Sequence, residues 1–195
     1  MKSYIVAQIT EAQRVMSAML ADQVLLSLLE DAAKACVECL QCGGKILLAG
    51  NNGGSAADAQ HIAAEFVSRF AFDRPGLPAI ALTTDSSIIT SIGNDYGYEK
   101  LFARQLQAHG NKGGIFIGYS TSGKSPNILR AFEEARSHGL VCIGLTGNRG
   151  GPMQGLCDYL LETPSGDTPK IQEGHLVLGH ILCGLVESVI FQEYN

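Results

Sequence analysis

An open parallel α/β sheet with helices on both faces is the fold class this 195-residue sequence predicts, on three observations. Five short apolar runs, KILLAG (45–50), PAIALTT (78–84), GIFIGYS (114–120), LVCIGLTG (140–147) and DYLLE (158–162), read as strands buried on both faces. Helical patterns alternate with these runs from residue 45 onward, the order that parallel strands with crossover helices require. The loops after the runs are rich in Gly, Ser and Asn, and in such sheets ligands bind beyond the carboxyl ends of the strands.

Two amphipathic helices precede the sheet. Residues 4–20 place Ile5, Ile9, Ala12, Met16 and Met19 at helical intervals, and residues 22–42 do the same with Leu25, Leu29, Ala32, Cys36 and Leu40. Asp22 is placed to cap the second helix and Gly43-Gly44 to end it. Two later units share a design, since ILLAGNNGGSAADAQ and IFIGYSTSGKSPNIL each run strand, small-residue loop, helix. The turn TPSGDTPK (163–170) leads into the last helix. The chain reads as one domain over 1–195. Residues 1–43 form a helical oligomerisation segment, because their apolar stripes exceed what a small sheet needs to cover itself.

The formal charge of −5 gives no positive field for nucleic acid or an anionic membrane, so neither is expected as a partner. MKSYIVAQITEAQR lacks the apolar core of a signal peptide, and no later run reads as long enough to span a bilayer, so a cytoplasmic address is expected. Cys36, Cys39 and Cys42 are spaced C-x2-C-x2-C, but they sit in a helical pattern with no suitably spaced fourth ligand and read as small buried hydrophobes.

Residues 118–125, GYSTSGKS, satisfy the nucleotide-binding pattern G-x-x-x-x-G-K-[ST]. Ser125 is placed to cap the following helix and Pro126 to open it, which turns free N–H groups toward an anion. A magnesium nucleotide also needs an acid closing a neighbouring strand. LVCIGLTGN ends without one, leaving Asp85 as a lesser candidate. Ser120, Thr121, Ser122 and Ser125 supply four hydroxyls, which suits a monophosphate better than a triphosphate.

In QHIAAEF, His61 and Glu65 are four residues apart on a helix and share a face, a spacing equally common in solvated surface pairs. In KIQEGHLVLGHILC, Gln172 and His180 are eight residues apart on one stripe, with His175 off it. The alternative is that both are polar residues on a core-facing helix.

GNNGGSAADAQH and STSGKSPN together resemble the sugar isomerase (SIS) domain family over nearly the whole chain. The helical extension, GNDYGYEKLF, TGNRGG and KIQEGHLVLGH are similar to its phosphoheptose isomerase branch. The resemblance implies a flavodoxin-like sheet, a homotetramer and an aldose–ketose isomerase acting on sedoheptulose 7-phosphate. It implies one zinc per subunit on His61, Glu65, Gln172 and His180, with Glu65 and His180 also moving protons. It further implies substrate contacts from Asn52, Gly53, Gly54, Ser55, Glu65, Asn94, Asp95, Ser120, Thr121, Ser122, Ser125 and Gln172. Arg69, read as one turn beyond Glu65 on the same helix, joins them. One departure stands out: the family's first loop usually reads Gly-Asn-Gly-Gly-Ser, whereas Gly50 is followed here by both Asn51 and Asn52.

Such an isomerisation moves a proton between adjacent carbons through an enediol, so it needs a base near carbon and an acid near oxygen. A carboxylate and an imidazole suit those tasks. The rival from another class is a non-enzymatic SIS regulator that binds the replication initiator DnaA. That relative lacks the Glu and His matching Glu65 and His180.

Overall fold

The computed structural model describes residues 1–148 and 150–191, so Arg149 of the TGNRGG segment and residues 192–195 lie outside the described residues. Helices α1 (Lys2–Ala21) and α2 (Gln23–Gln41) open the chain. Asp22 separates them as expected, its carboxylate accepting from the N–H groups of Val24 and Leu25 at 3.0 and 3.1 Å. Gly43, at φ 77°, provides the left-handed turn after α2.

The five strands are β1 (Ile46–Gly50), β2 (Ala79–Ala81), β3 (Ile115–Tyr119), β4 (Val141–Gly147) and β5 (Tyr159–Thr163), all parallel in the order β2-β1-β3-β4-β5. Strand order therefore reverses between β1 and β3, and the register pairs Gly50 with Tyr119 at their carboxyl ends. The two small-residue loops leave the sheet side by side at that reversal, the usual ligand crevice of an open α/β sheet.

Side chains alternate across the sheet and build two cores. Ile46, Leu48, Ile115 and Ile117 meet α2, α3 (Gly53–Val67) and α7 (Thr168–Phe191). Leu47, Ala49 and Phe116 meet α4 (Ser86–Tyr96), α5 (Leu101–His109) and α6 (Pro126–Ser137). The expectation of strands buried on both faces holds for β1 and β3, and β4 departs from it only at half-buried Val141. It fails at the two edges, where β2 has three residues with Ile80 exposed and β5 is only partly buried. An outer strand has one neighbour and less helix above it.

Two further sequence expectations are corrected. The final helix α7 does contain an 18-residue window apolar and long enough to cross a membrane by composition, with mean hydropathy 1.7. Its packing against α2 and α3, and its buried Lys170, His175 and Glu187, are those of a core helix. Arg69 does not extend the helix of His61 and Glu65, because α3 ends at Val67. The guanidinium of Arg74 takes the carbonyls of Glu65 and Phe66 at 2.8 and 2.6 Å and so replaces the next helical turn.

Among the described residues the cysteines are all free, with Cys36 and Cys39 buried and Cys42 exposed. Burial pushes the Cys36 thiol up.

Candidate functional site

Helix α3 begins directly after the two-residue loop Asn51-Asn52 that follows β1, and it packs against α7 over the same face of the sheet. Its four-residue spacing stacks His61 and Glu65 on one side, and their Nε2 and Oε1 atoms are 3.1 Å apart. Gly179 lets α7 approach, since a Cβ there would overlap Ile62 at 2.7 Å, and the approach delivers His180. Its Nε2 lies 3.3 Å from the Nε2 of His61.

The His61 Nε2 atom thus faces both a carboxylate oxygen and another imidazole nitrogen. One ring nitrogen carries at most one proton, so it cannot serve both neighbours as a donor. A cation between the three atoms serves all of them, and one donor atom from each of His61, Glu65 and His180 lies within 4.8 Å of the others. Two imidazoles and a carboxylate are a donor set suited to zinc, with a position left open. The side chains of His61 and Glu65 are 44% and 25% exposed, so the trio is open to a solute.

Gln172 is placed elsewhere. Its amide lies against Gly54, where a Cβ would overlap it, and eight residues of α7 put it about 12 Å along the axis from His180. The structure therefore brings together three of the four residues expected to hold metal and sets Gln172 beside the first small-residue loop.

That loop places its two asparagines in different environments. The Asn51 carbonyl accepts from the Tyr98 hydroxyl at 3.1 Å and the Asn127 amide at 2.9 Å, and its N–H donates to the Tyr119 carbonyl. Asn51 is a fixed hinge, whereas Asn52 is exposed in an extended conformation at the start of α3. Gly53 and Gly54 follow with their backbone exposed, and Ser55 is buried.

In the second loop Ser125 precedes α6 as expected, with Pro126 in first position, but its hydroxyl makes no capping bond. It pairs with the Ser120 hydroxyl at 2.8 Å, and Ser120 also lies 3.5 Å from the Ser122 hydroxyl. These hydroxyls turn inward to one point, and Gly123, at φ 64°, makes the turn that aims them. Ser120 is buried, Thr121 and Ser125 are half-buried and Ser122 is exposed. Thr121, Ser122 and Lys124 line a cavity of about 420 Å³ with Asn148 and Ser165. Asp85, the candidate magnesium acid, is the N-cap of α4 and accepts from Ile88 N–H at 2.9 Å.

Asn94 and Asp95 lie exposed on α4, joined by a 2.8 Å hydrogen bond, and no described contact brings them to the trio. Arg69 is exposed just past the end of α3.

The sequence reading missed three groups. Asp58, three residues before His61, is half-buried with Oδ2 unpartnered; burial pushes its carboxyl up to about 6, with His61 opposing. His175, merely off the stripe in sequence, is fully buried against Tyr119, and burial pushes it down to about 4, opposed by the Thr146 backbone. Arg74 and Glu187 form a buried ion pair at 2.8 Å. Burial would raise the Glu187 carboxyl, but the N–H groups of Ala71 and Phe70 and the Arg74 guanidinium hold it below its ordinary value.

The SIS domain profile matches residues 8–147. The phosphoheptose isomerase of Burkholderia pseudomallei strain 1710b is 72% identical, over 97% of this chain and 95% of its own length. That of Aneurinibacillus thermoaerophilus is 60% identical, over 98% and 96%. In structure, the phosphoheptose isomerase of Francisella tularensis superposes with a TM-score of 0.90 at 39% identity, covering 95% of this chain and 97% of that one. With sequence and architecture both matched nearly end to end, the chain belongs to the phosphoheptose isomerases of the SIS-domain family.

Proposed function

We propose that the protein converts sedoheptulose 7-phosphate to D-glycero-D-manno-heptose 7-phosphate, the first step of ADP-heptose synthesis for lipopolysaccharide core or related heptose glycans. The observation that carries this reading is the meeting of His61, Glu65 and His180 on two helices, in a chain whose loop between β3 and α6 is lined with hydroxyls. The high-identity relatives bear the isomerase name, and the regulator reading is not favoured.

The inward hydroxyls of Ser120, Ser122 and Ser125 and the free N–H groups at the start of α6 bind the phosphate. Ser55, the Gly53-Gly54 backbone and Asn52 hold the near end of the sugar chain, with Gln172 beside them. Asn94, Asp95 and Arg69 are assigned to sugar oxygens on the family resemblance.

Glu65 removes the proton from the carbon next to the carbonyl, leaving an enediol, and returns it to the neighbouring carbon. His180 carries the accompanying proton between the two oxygens, a task suited to an imidazole, whose ring nitrogens can both give and accept a proton. Zinc, one per subunit, would be held by His61, Glu65 and His180 and would supply polarisation of the substrate oxygens; Gln172, the fourth donor that the resemblance implies, stands beside Gly54, about 12 Å along α7 from His180.

The enzyme acts in the cytoplasm as a homotetramer of single-domain subunits, with residues 1–43 in the assembly. Supporting this, α1 exposes Tyr4, Ile5, Val6 and Ile9, and an apolar groove of about 550 Å³ runs between α2 and α7 beside Leu26, Val37, Ile181 and Val189. The test is incubation of purified protein with sedoheptulose 7-phosphate and chromatographic detection of the aldose. Zinc-loaded protein that forms none refutes the reading.

A further inference from the structure

Arg74 and Glu187 lie in neither loop and their charged ends touch no side chain of the trio, yet they tie together the two helices that carry it. Their side chains are 2% and 1% exposed. One hydrogen bond joins the pair and six leave it. Glu187 accepts from Phe70 N–H at 2.8 Å, Ala71 N–H at 2.7 Å and Arg74 Nε at 2.8 Å. Arg74 donates Nη1 to the carbonyls of Phe66, Ser68 and Pro75, and Nη2 to the carbonyl of Glu65 at 2.8 Å.

Each bond has a positional consequence. A helix leaves its last carbonyls without intrahelical partners, and Arg74 takes two of them at the turn of α3 that bears Glu65. Its positive charge also stands at the negative end of that helix. Glu187 is seven residues from His180, two turns along the same stripe of α7. By gripping the N–H groups of Phe70 and Ala71 it fixes the chain just beyond α3. The Phe70 ring then lies back over Gly184, where a Cβ would stand 3.3 Å from it, and packs on the His180 ring at 5.6 Å. One end of the pair thus holds the backbone of Glu65, and the other holds the ring that backs His180.

A buried ion pair is a poor source of stability, because both charges must leave water; its attested use is to specify one arrangement. We propose that Arg74 and Glu187 are positioning residues that set Glu65 against His180. The inference deepens the reading of His61, Glu65 and His180 as the reactive trio and rests on it.

The test uses the full chain with Arg74→Lys, which keeps the charge but loses the fork, and Glu187→Gln, which keeps the shape but loses the charge. Folding is checked by circular dichroism. Zinc affinity is measured by competition with a chromophoric chelator, and kcat and KM are measured with sedoheptulose 7-phosphate. Partners that orient ligands typically change metal affinity or activity by about 10- to 100-fold. Folded variants should therefore lose about tenfold or more in both kcat and zinc affinity, with KM within about threefold.

Coupling is reciprocal, so zinc should in turn strengthen the clamp in the unmodified protein. Amide hydrogen exchange at Phe70 and Ala71 should slow on zinc binding by about tenfold more than at Ile117 in β3. Folded variants with unchanged kcat and zinc affinity, or with a change in KM alone, overturn the proposal. If neither variant folds, the exchange measurement decides, and equal protection at Phe70, Ala71 and Ile117 overturns it. If the unmodified protein binds no zinc, the metal reading of the trio fails separately, and the division between kcat and KM judges the clamp.

Discussion

The Nε2 atoms of His61 and His180 lie 3.3 Å apart, although 119 residues separate them in the chain. Glu65 Oε1 stands 3.1 Å from the same His61 nitrogen. Three acceptor atoms gathered where the available protons cannot satisfy every pair make a cation the natural occupant. Elemental analysis should find about one zinc per chain, and a strong chelator should abolish turnover until zinc is restored. His61→Ala and His180→Gln should each retain much less metal. Full zinc content in both variants would remove the site from these residues.

Glu65→Gln keeps the length of the side chain and an oxygen but removes the base. Turnover should fall about 100- to 10,000-fold, the usual cost of losing a general base, while phosphosugar binding by calorimetry changes little. A variant that binds poorly and turns over normally when saturated would assign Glu65 to binding.

Gly123→Ala places a Cβ at φ 64° and against the Gly150 carbonyl. A non-glycine residue in such backbone costs of order 1–3 kcal/mol. The hydroxyl cluster should misalign, weakening phosphosugar binding more than it lowers saturated turnover. The same loop should show no magnesium-dependent ATP binding. Micromolar ATP affinity lost in Lys124→Ala would restore the nucleotide reading.

The pH dependence of stability should carry the signature of His175. Its folded value, about 4, lies below the ordinary 6.5, so the folded state favours the neutral ring. The associated stability is fully present above about pH 6.5 and is lost as pH falls toward about 4, where the unfolded chain binds the proton first. The whole shift corresponds to roughly 3 kcal/mol. Urea unfolding should show that loss, and His175→Phe should flatten it. His175→Gln is consequently no neutral control for the active site, because it places an amide in the core.

Exposed apolar residues on α1 predict a tetramer by sedimentation at micromolar concentration. Ile5→Asp with Ile9→Asp, at positions 56% and 58% exposed, should leave the subunit fold intact and shift the distribution to smaller species. A fully active monomer of the unmodified chain would contradict this.

Much of the fold was legible because its signals are local. Apolar runs, the Asp22 cap and the Gly-rich loops each act within a few residues, and the structure places them as read. His61 and Glu65 were legible as a pair for the same reason. Their meeting with His180 was not, because no local pattern encodes which stripes of two helices face each other. Gln172 shows the converse, since a shared stripe on α7 did not bring it to His180. Arg69 was misplaced because the helical period runs on past Val67, while a tertiary contact from Arg74 ends the helix. The one available sign of that contact was Glu187, a carboxylate embedded in the apolar run GLVESVIF.

The account turns on a proton moved between carbons by Glu65, and prolonged turnover of sedoheptulose 7-phosphate in deuterium oxide tests it most directly. Mass spectrometry should show the aldose accumulating with a carbon-bound deuterium taken from solvent, and Glu65→Gln should form almost none. Rapid conversion with no deuterium on carbon, or equal labelling by Glu65→Gln, would contradict proton transfer through this residue.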